Sequence, residues 1–139
     1  MMPAVFVDTD IIIDFFLGRE PYDKPAARLF SLGRRGELQV CVTTLSFANT
    51  FYLLRKQIGG EKSKELLRTF RQWVTVLPMD GAMLDQALAS PFGDFEDALQ
   101  YHAALPAGVK TIITRNIRDF RNASIPVMTA EEYLAQLTA

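Results

Sequence analysis

The chain has one cysteine and one histidine among its 139 residues, and this scarcity argues against several kinds of protein. A single thiol, Cys41, rules out an intramolecular disulfide, and its place in the apolar run 38–42 predicts a small buried side chain. With His102 as the only histidine, an ordinary zinc site and a Ser-His-Asp triad are both poorly supported. We expect His102 to be a helix-surface or packing residue.

The sequence also lacks a long apolar run and an excess of either charge. No run approaches the roughly 20 residues of a membrane span, and no basic segment followed by a long apolar one suggests a signal peptide. The formal net charge is −1, with 15 basic and 16 acidic side chains. This excludes a wholly basic nucleic-acid coat but not a local basic patch. We expect a cytoplasmic protein with no membrane segment and a single domain, residues 1–139.

Short apolar runs alternate with amphipathic segments along the chain. Residues 5–7 are apolar on both alternating faces, which is typical of a strand covered on both sides. The further predicted strands are 38–42, 74–77, 109–114 and 124–128. The predicted helices are 11–17, 23–35, 43–57, 61–73, 80–89, 94–104 and a last one after Thr129. This alternation predicts an α/β fold with a mostly parallel sheet.

Acidic residues stand in three groups beside predicted elements. Asp8 follows the first strand, at the edge where open α/β sheets bind ligands, and a carboxylate there needs a cation or hydrogen-bond donors. Asp94 and Asp97 are three residues apart at a predicted helix start, so they share a face, with Glu96 turned away. Asp119 follows the fourth strand. We hypothesise that the three groups meet around a divalent metal.

Each of these carboxylates also has a purely structural explanation. Asp8 could cap the turn that follows it, and Asp94 could cap the helix that it precedes. Acidic side chains in a first helical turn are favoured by the helix dipole alone. Asp119 could form an ion pair with Arg115 or Arg118. The sequence does not decide between these explanations and a shared site.

Crowded carboxylates suit a hard cation such as Mg²⁺ or Mn²⁺. Such an ion polarises a phosphoryl group, makes hydroxide from bound water and stabilises a leaving oxygen. We therefore expect phosphodiester hydrolysis, with Arg115 and Arg118 placed to hold phosphates. Basic side chains on two predicted helices could follow a nucleic-acid backbone, although a solvated helix face explains them as well. They are Arg55, Lys56, Lys62, Lys64, Arg68 and Arg71.

Three segments together resemble the PIN-domain family, which includes the toxin ribonucleases of bacterial toxin–antitoxin pairs. They are Val7-Asp8-Thr9-Asp10, the segment 94–101 and the segment 113–120, in the family's order along essentially the whole chain. The resemblance implies a three-layer α/β/α sandwich and a Mg²⁺- or Mn²⁺-dependent ribonuclease that acts on single-stranded RNA. A small antitoxin protein and a homodimer are the partners that it implies.

Taken by position, the resemblance assigns the catalytic roles to Asp8, Asp97 and Asp119. The predicted metal ligands are Asp8, Asp97, Asp119, Asp94 and Asn49. The predicted substrate-binding residues are Thr9, Asn116, Arg115 and Arg118. Asn49 departs from the family pattern, because many members carry a glutamate there. An amide oxygen can still ligate a metal or hold a metal-bound water, but it lacks the charge that strengthens cation binding.

Two other functions stay open on the sequence alone. A PIN-like domain that binds RNA or a protein without cleaving is compatible with Asn49. A haloacid-dehalogenase-type phosphatase is the second, because Asp8-Thr9-Asp10 also resembles that family's nucleophile loop, with Asp8 attacking phosphorus and Asp10 as acid and base. Against the phosphatase, the acidic segment 93–97 follows a helix rather than a strand, and a cap domain does not fit in this length.

Overall fold

Five short strands form one sheet in the computed structural model, which describes residues 2–138. They are β1 (Ala4–Val7), β2 (Gln39–Thr43), β3 (Thr75–Leu77), β4 (Thr111–Ile113) and β5 (Val127–Met128). Their order across the sheet is β3-β2-β1-β4-β5, and every neighbouring pair is parallel. The predicted α/β fold with a parallel sheet is confirmed.

The helices connect successive strands, as the alternating pattern predicts. They are α1 (Thr9–Leu17), α2 (Asp23–Arg34), α3 (Thr44–Ile58), α4 (Gly60–Arg71), α5 (Gly81–Ala89), α6 (Phe95–Ala104) and α7 (Ala130–Thr138). Short 3₁₀ turns follow α6 at Leu105–Ala107 and β4 at Ile117–Phe120. Within residues 2–138 no helix is both long enough and apolar enough to cross a bilayer.

The last two strands are shorter than the predicted segments 109–114 and 124–128. A strand extends only as far as its neighbours pair with it, and β4 pairs with β1 over Val5–Val7 alone. On its other side β4 pairs with β5 at two positions. An apolar run in the sequence therefore overstates the length of these outer strands.

Alternate residues of each strand enter two separate cores, one on each face of the sheet. Val5 and Val7 of β1 pack with the inner faces of α1, α2, α4 and α7. Phe6, between them in sequence, packs on the opposite face with Tyr101 and Ala104 of α6. Cys41 is buried in this second core, as predicted. Helices therefore cover both faces, which confirms the three-layer sandwich.

An aromatic cluster fills the centre of the first core. Phe70 of α4 is 1% exposed, and its ring centroid lies 5.0 Å from that of Phe30 and 5.4 Å from that of Phe16. Phe47 and Trp73 complete its surroundings at 5.8 and 6.0 Å. Because most of these contacts are edge-to-face, Phe70 joins α1, α2 and α3 through favourable ring geometries.

The strand order places a crevice between β1 and β4. The chain runs outward from β1 through β2 to β3 and then crosses over to β4 on the other side of β1. In an open parallel sheet, ligands bind outside the carboxyl ends of the strands at such a reversal. Asp8 follows β1 and Thr114 follows β4, so both residues lie at this crevice.

Replacing Phe70 with alanine should lower the free energy of unfolding by about 3–5 kcal/mol, because it leaves a cavity at the junction of four elements. Phe70→Leu should lose less, since leucine refills part of that volume. Leu88→Ala is the matched control: Leu88 is 66% exposed on α5, so we expect a change within about 0.5 kcal/mol. Urea unfolding of the three variants measures these differences, and an equal loss for Phe70→Ala and Leu88→Ala would contradict the packing described.

Candidate active site

Asp8 is held at the carboxyl end of β1 by three hydrogen-bond donors. Its Oδ1 accepts from the backbone N–H of Thr9 at 2.8 Å, which makes Asp8 the N-cap of α1. Its Oδ2 accepts from the hydroxyl of Thr114 at 2.8 Å. Asp8 is only 5% exposed, and burial outweighs these hydrogen bonds, so its pKa is raised above the ordinary value. Asp8 thus has the predicted capping role and also faces the crevice between β1 and β4.

The third donor to Asp8 is Gln100 of α6, a residue that the sequence reasoning missed. Its Nε2 lies 3.4 Å from Asp8 Oδ1, and its Oε1 accepts from the Ser46 hydroxyl at 3.3 Å. Ser46 in turn contacts the hydroxyl of Thr43, the N-cap of α3, at 3.2 Å. Gln100 is fully buried. Its position three residues after Asp97, on the same helix, was the available signal for this contact.

Asp94 and Asp97 stand at the start of α6, as predicted. Asp94 Oδ1 accepts from the backbone N–H of Asp97 at 3.0 Å, so Asp94 is the N-cap. The Asp97 carboxylate accepts no hydrogen bond from the described residues, although Asp97 is 8% exposed. Burial, followed by the negative charges of Asp8, Asp94, Asp119 and Glu96, raises the pKa of Asp97 to about 8. The carboxylates of the three sequence groups are therefore near enough to interact.

Asp119 is exposed on the 3₁₀ turn that follows β4. In the part of the chain that the structure describes, it forms no ion pair with Arg115 or Arg118, so that structural explanation is not supported. It lines an open groove of about 260 Å³ together with Asp94, and the groove also carries basic and amide side chains. These are Arg118, Arg121 and Asn122. Arg118 is thus near the carboxylates, and Arg121 is a second basic residue that the sequence reasoning missed.

Glu96 does not point away from the site, so the expectation that it is turned away is wrong. Its Oε1 accepts from the Asn49 side-chain amide at 2.7 Å, and the side chain is half-buried. Burial and the charges of Asp94 and Asp8 raise the pKa of Glu96. The cause is the position of α3 beside α6. From helical spacing alone, this side of α6 would be expected to face solvent, but α3 covers it. Asn49 is therefore at the edge of the carboxylate group.

Arg115 is occupied by another acidic residue. Its Nε and Nη2 donate to the two oxygens of Asp14 at 2.7 and 2.9 Å, and its guanidinium lies 4.1 Å from the centre of the Tyr22 ring. Asp14 is fully buried in α1. Hydrogen bonding to Asp14 raises the pKa of Arg115 further. This ion pair holds Arg115 against α1. Because the guanidinium already donates to Asp14, the predicted contact with a phosphate is disfavoured.

The other two predicted substrate residues, Thr9 and Asn116, lie close to the strand ends. Asn116 donates from its backbone N–H to Thr114 Oγ1 at 3.0 Å and from Nδ2 to Asp10 Oδ2 at 3.4 Å. Thr9 is 6% exposed, and its hydroxyl is buried without a partner among the described residues. Asp10 also accepts from the N–H of Arg115 at 3.0 Å. Burial and the charge of Asp8 raise the pKa of Asp10 to about 7.

The side chains at the crevice fit a divalent cation in charge and in ligand type. Among residues 2–138 no group of three or more acidic, imidazole or thiol side chains is already arranged to hold a metal ion. Their chemistry favours a hard cation, because several buried carboxylates raise one another's pKa and Asp97 has no compensating donor. One oxygen of Asp10 is likewise buried without a partner in the described chain.

A larger depression of about 520 Å³ shares Asn122 with the groove beside Asp119, but none of the carboxylates lines it. Its lining includes Phe92, Tyr101 and His102 and contains no ionised side chain. His102 is half-buried there, and burial lowers its pKa, which agrees with the expected packing role. An uncharged lining offers nothing to hold a cation or a phosphate. The crevice at β1 and β4 is therefore the candidate site.

Comparison with known proteins identifies relatives of the whole domain. The model of the PIN domain family matches residues 4–118. Among curated proteins, "Ribonuclease VapC1" of Aquifex aeolicus is 26% identical over 134 residues, which cover 93% of this chain and 92% of that protein. The matched region includes the Asp8-Thr9-Asp10 segment, so it favours the PIN-domain resemblance of that segment over the haloacid-dehalogenase-type phosphatase.

Solved structures share the fold. The DNA-bound VapBC of Salmonella typhimurium has a TM-score of 0.68 at 20% identity, with 94% of this chain and 99% of that chain covered. VapC20 of Mycobacterium tuberculosis, described as a sarcin-ricin loop cleaving toxin, has a TM-score of 0.64 at 16% identity, with 82% and 92% covered. At these identities the likeness establishes a common fold.

Removing the Arg115 side chain should destabilise the fold, because it leaves the charge of Asp14 buried and unpaired. We expect Arg115→Ala to lower the free energy of unfolding by about 3 kcal/mol. The double variant Asp14→Leu/Arg115→Met, which removes both charges, should lose less. Chemical denaturation at pH 7 measures the two, and equal losses would show that the ion pair does not explain the effect.

The metal-free protein should become less stable as the pH rises between about 4 and 8. The pKa of Asp97 is near its ordinary 3.8 in the unfolded chain and about 8 in the folded one. Between these two pKa values the folded state binds a proton that the unfolded state has released. Raising the pH therefore favours the unfolded state. In urea unfolding with EDTA, Asp97→Asn should show a shallower decline than wild type. Asp85→Asn, at an exposed position on α5, should parallel wild type, and identical slopes for all three would contradict the assignment.

Proposed function

The chain belongs to the PIN domain family, and from this premise we propose that it is a metal-dependent endoribonuclease acting on single-stranded RNA. We further propose that it is the toxin of a toxin–antitoxin pair. The observation that carries the proposal is the approach of Asp8, Asp94, Asp97 and Asp119 to one another at the sheet reversal, without a lysine or arginine paired to any of them in the described residues. The curated relative named a ribonuclease, which matches nearly the whole chain, supports it.

In this proposal Mg²⁺ or Mn²⁺ is the cofactor, and Asp8, Asp97, Asp119 and Asp94 hold it. Asn49 is the fifth ligand that the sequence predicts, and since its side-chain amide donates to Glu96, this proposal places it beside the ligands rather than among them. When bound, such an ion activates water and polarises the scissile phosphoryl group. The protein contributes the geometry: Thr9, Thr114 and Gln100 fix the orientation of the Asp8 carboxylate.

The groove beside Asp119 suits a phosphodiester backbone. Arg118 and Arg121 line it together with Asn122, and guanidinium groups bind phosphate oxygens through paired hydrogen bonds. We assign Arg118 to a phosphate of the RNA. We keep Thr9 and Asn116 as proposed substrate contacts because both lie next to the carboxyl ends of the strands at the crevice. Arg115 chiefly holds its own loop in place through Asp14.

An antitoxin is the protein partner that we propose. The fold-sharing structures include a "Toxin-antitoxin complex from Klebsiella pneumoniae", with a TM-score of 0.68, 20% identity, and 91% of this chain and 97% of that chain covered. An antitoxin that inserts a basic side chain among the carboxylates would neutralise them and block the cation. We also propose a homodimer, as the resemblance implies, and a cytoplasmic location.

The direct test is cleavage of single-stranded RNA by the purified protein with Mn²⁺ or Mg²⁺. We expect cleavage by wild type that EDTA abolishes. Asp97→Asn should reduce the rate by more than the roughly 10- to 100-fold typical of an outer-shell partner of a metal. Asp85→Asn, which removes an equivalent charge from an exposed site on α5, should cleave like wild type.

The same variants separate cleavage from binding. A PIN-like domain that binds RNA without cleaving would show no metal-dependent products with any variant, and Asp97→Asn would keep its RNA affinity. That outcome would replace the ribonuclease proposal with the binding alternative. Cleavage that is unaffected both by EDTA and by Asp97→Asn would show that the acidic crevice is not the active site.

A further inference from the structure

Two hydrogen bonds between side chains connect α3 with α6 beside the acidic crevice. Ser46 and Asn49 are three residues apart on α3, and Gln100 and Glu96 are four residues apart on α6, so each pair lies on one helix face. Ser46 bonds to Gln100 at 3.3 Å and Asn49 bonds to Glu96 at 2.7 Å. The inner contact continues to Asp8 through Gln100. The outer contact therefore holds Glu96 in a fixed relation to the site.

Glu96 has the environment of a ligand rather than of a surface acid. It is half-buried, and no arginine or lysine in the described chain forms an ion pair with it. Only Oε1 accepts a hydrogen bond, from the neutral amide of Asn49, which leaves Oε2 available. A carboxylate placed next to Asp94 and Asp97 without a cation is unfavourable in the fold alone.

We propose that Glu96 is a metal-binding carboxylate of this site and that Asn49 is the residue that positions it. This inference rests on the proposed metal-dependent function and refines it: the negative charge absent from α3 at position 49 is supplied from α6. The Asn49 amide donates to one carboxylate oxygen and leaves the other for the cation. Asn49 thus acts on the metal through Glu96, as an outer partner that orients a ligand.

The experiment compares Mn²⁺ binding, followed by the electron paramagnetic resonance signal of free Mn²⁺, with RNA cleavage by the same samples. Glu96→Gln keeps an oxygen that accepts from Asn49 but removes the charge of a ligand, and it should weaken Mn²⁺ binding by clearly more than the roughly tenfold loss at the low end of the range for an outer partner. Asn49→Ala removes only the positioning contact and should weaken binding by about that tenfold factor. In Asn49→Glu/Glu96→Gln the two groups exchange places across the same contact, and binding should return to within about threefold of wild type.

The matched control is Glu131→Gln. Glu131 is the second residue of α7, as Glu96 is of α6, so it shares the interaction with the helix dipole but lies outside the crevice. Glu131→Gln should leave Mn²⁺ binding and cleavage unchanged. Thermal unfolding without metal reports whether each variant is folded, and the exchanged double variant distinguishes lost charge from lost packing.

The outcomes separate this inference from the function on which it rests. Wild type that binds Mn²⁺ and cleaves RNA, with Glu96→Gln equal to it in both, would overturn the role of Glu96 and leave the ribonuclease proposal standing. Failure of the exchanged double variant to regain affinity lost in Glu96→Gln would also overturn it. Wild type that neither binds Mn²⁺ nor cleaves would overturn both.

Discussion

Burial of the Asp8 carboxylate at the end of the central strand is the constraint around which the rest of the site is arranged. β1 pairs with a strand on each side, so its carboxyl end is surrounded by protein. A carboxylate in such a place must be satisfied by donors or a cation. Thr114 comes from the neighbouring strand, Gln100 from a helix on the other face, and Thr9 from the helix that Asp8 caps. One charged group thus sets the relation of β4, α1 and α6.

Two buried aspartates have opposite surroundings, and the contrast distinguishes a carboxylate that stabilises the fold from one that is placed for function. Asp14 is fully buried and receives two hydrogen bonds from Arg115. Asp97 is nearly as buried, yet it receives none from the described residues and is surrounded by other carboxylates. If both served only the fold, the second arrangement would be an unexplained cost. In the proposed function, a cation bound in the crevice would supply to Asp97 what Arg115 supplies to Asp14.

The sequence predicted the fold well because the signals for it are local. Apolar runs alternate with amphipathic segments, and Asp94 and Thr129 are recognisable helix caps, so the elements were predicted close to their observed bounds. The parts that failed depend on contacts distant in sequence. The direction of Glu96, the use of Arg115 by Asp14 and the place of Gln100 are all decided by which helix packs beside which, and helical spacing within one element does not contain that information.

The same reasoning bears on how a missing residue at a site should be interpreted. In the sequence, Asn49 suggested that the acidic site of this chain lacks one negative charge. In the folded protein a carboxylate from a different helix lies 2.7 Å from the Asn49 amide. Since a cation responds to the charge and position of an oxygen and not to the helix that carries it, the loss of a charged residue at one position need not weaken the site. The affinity of the crevice for a cation would therefore depend on the total charge of the side chains around it, and that total has to be counted in the folded structure.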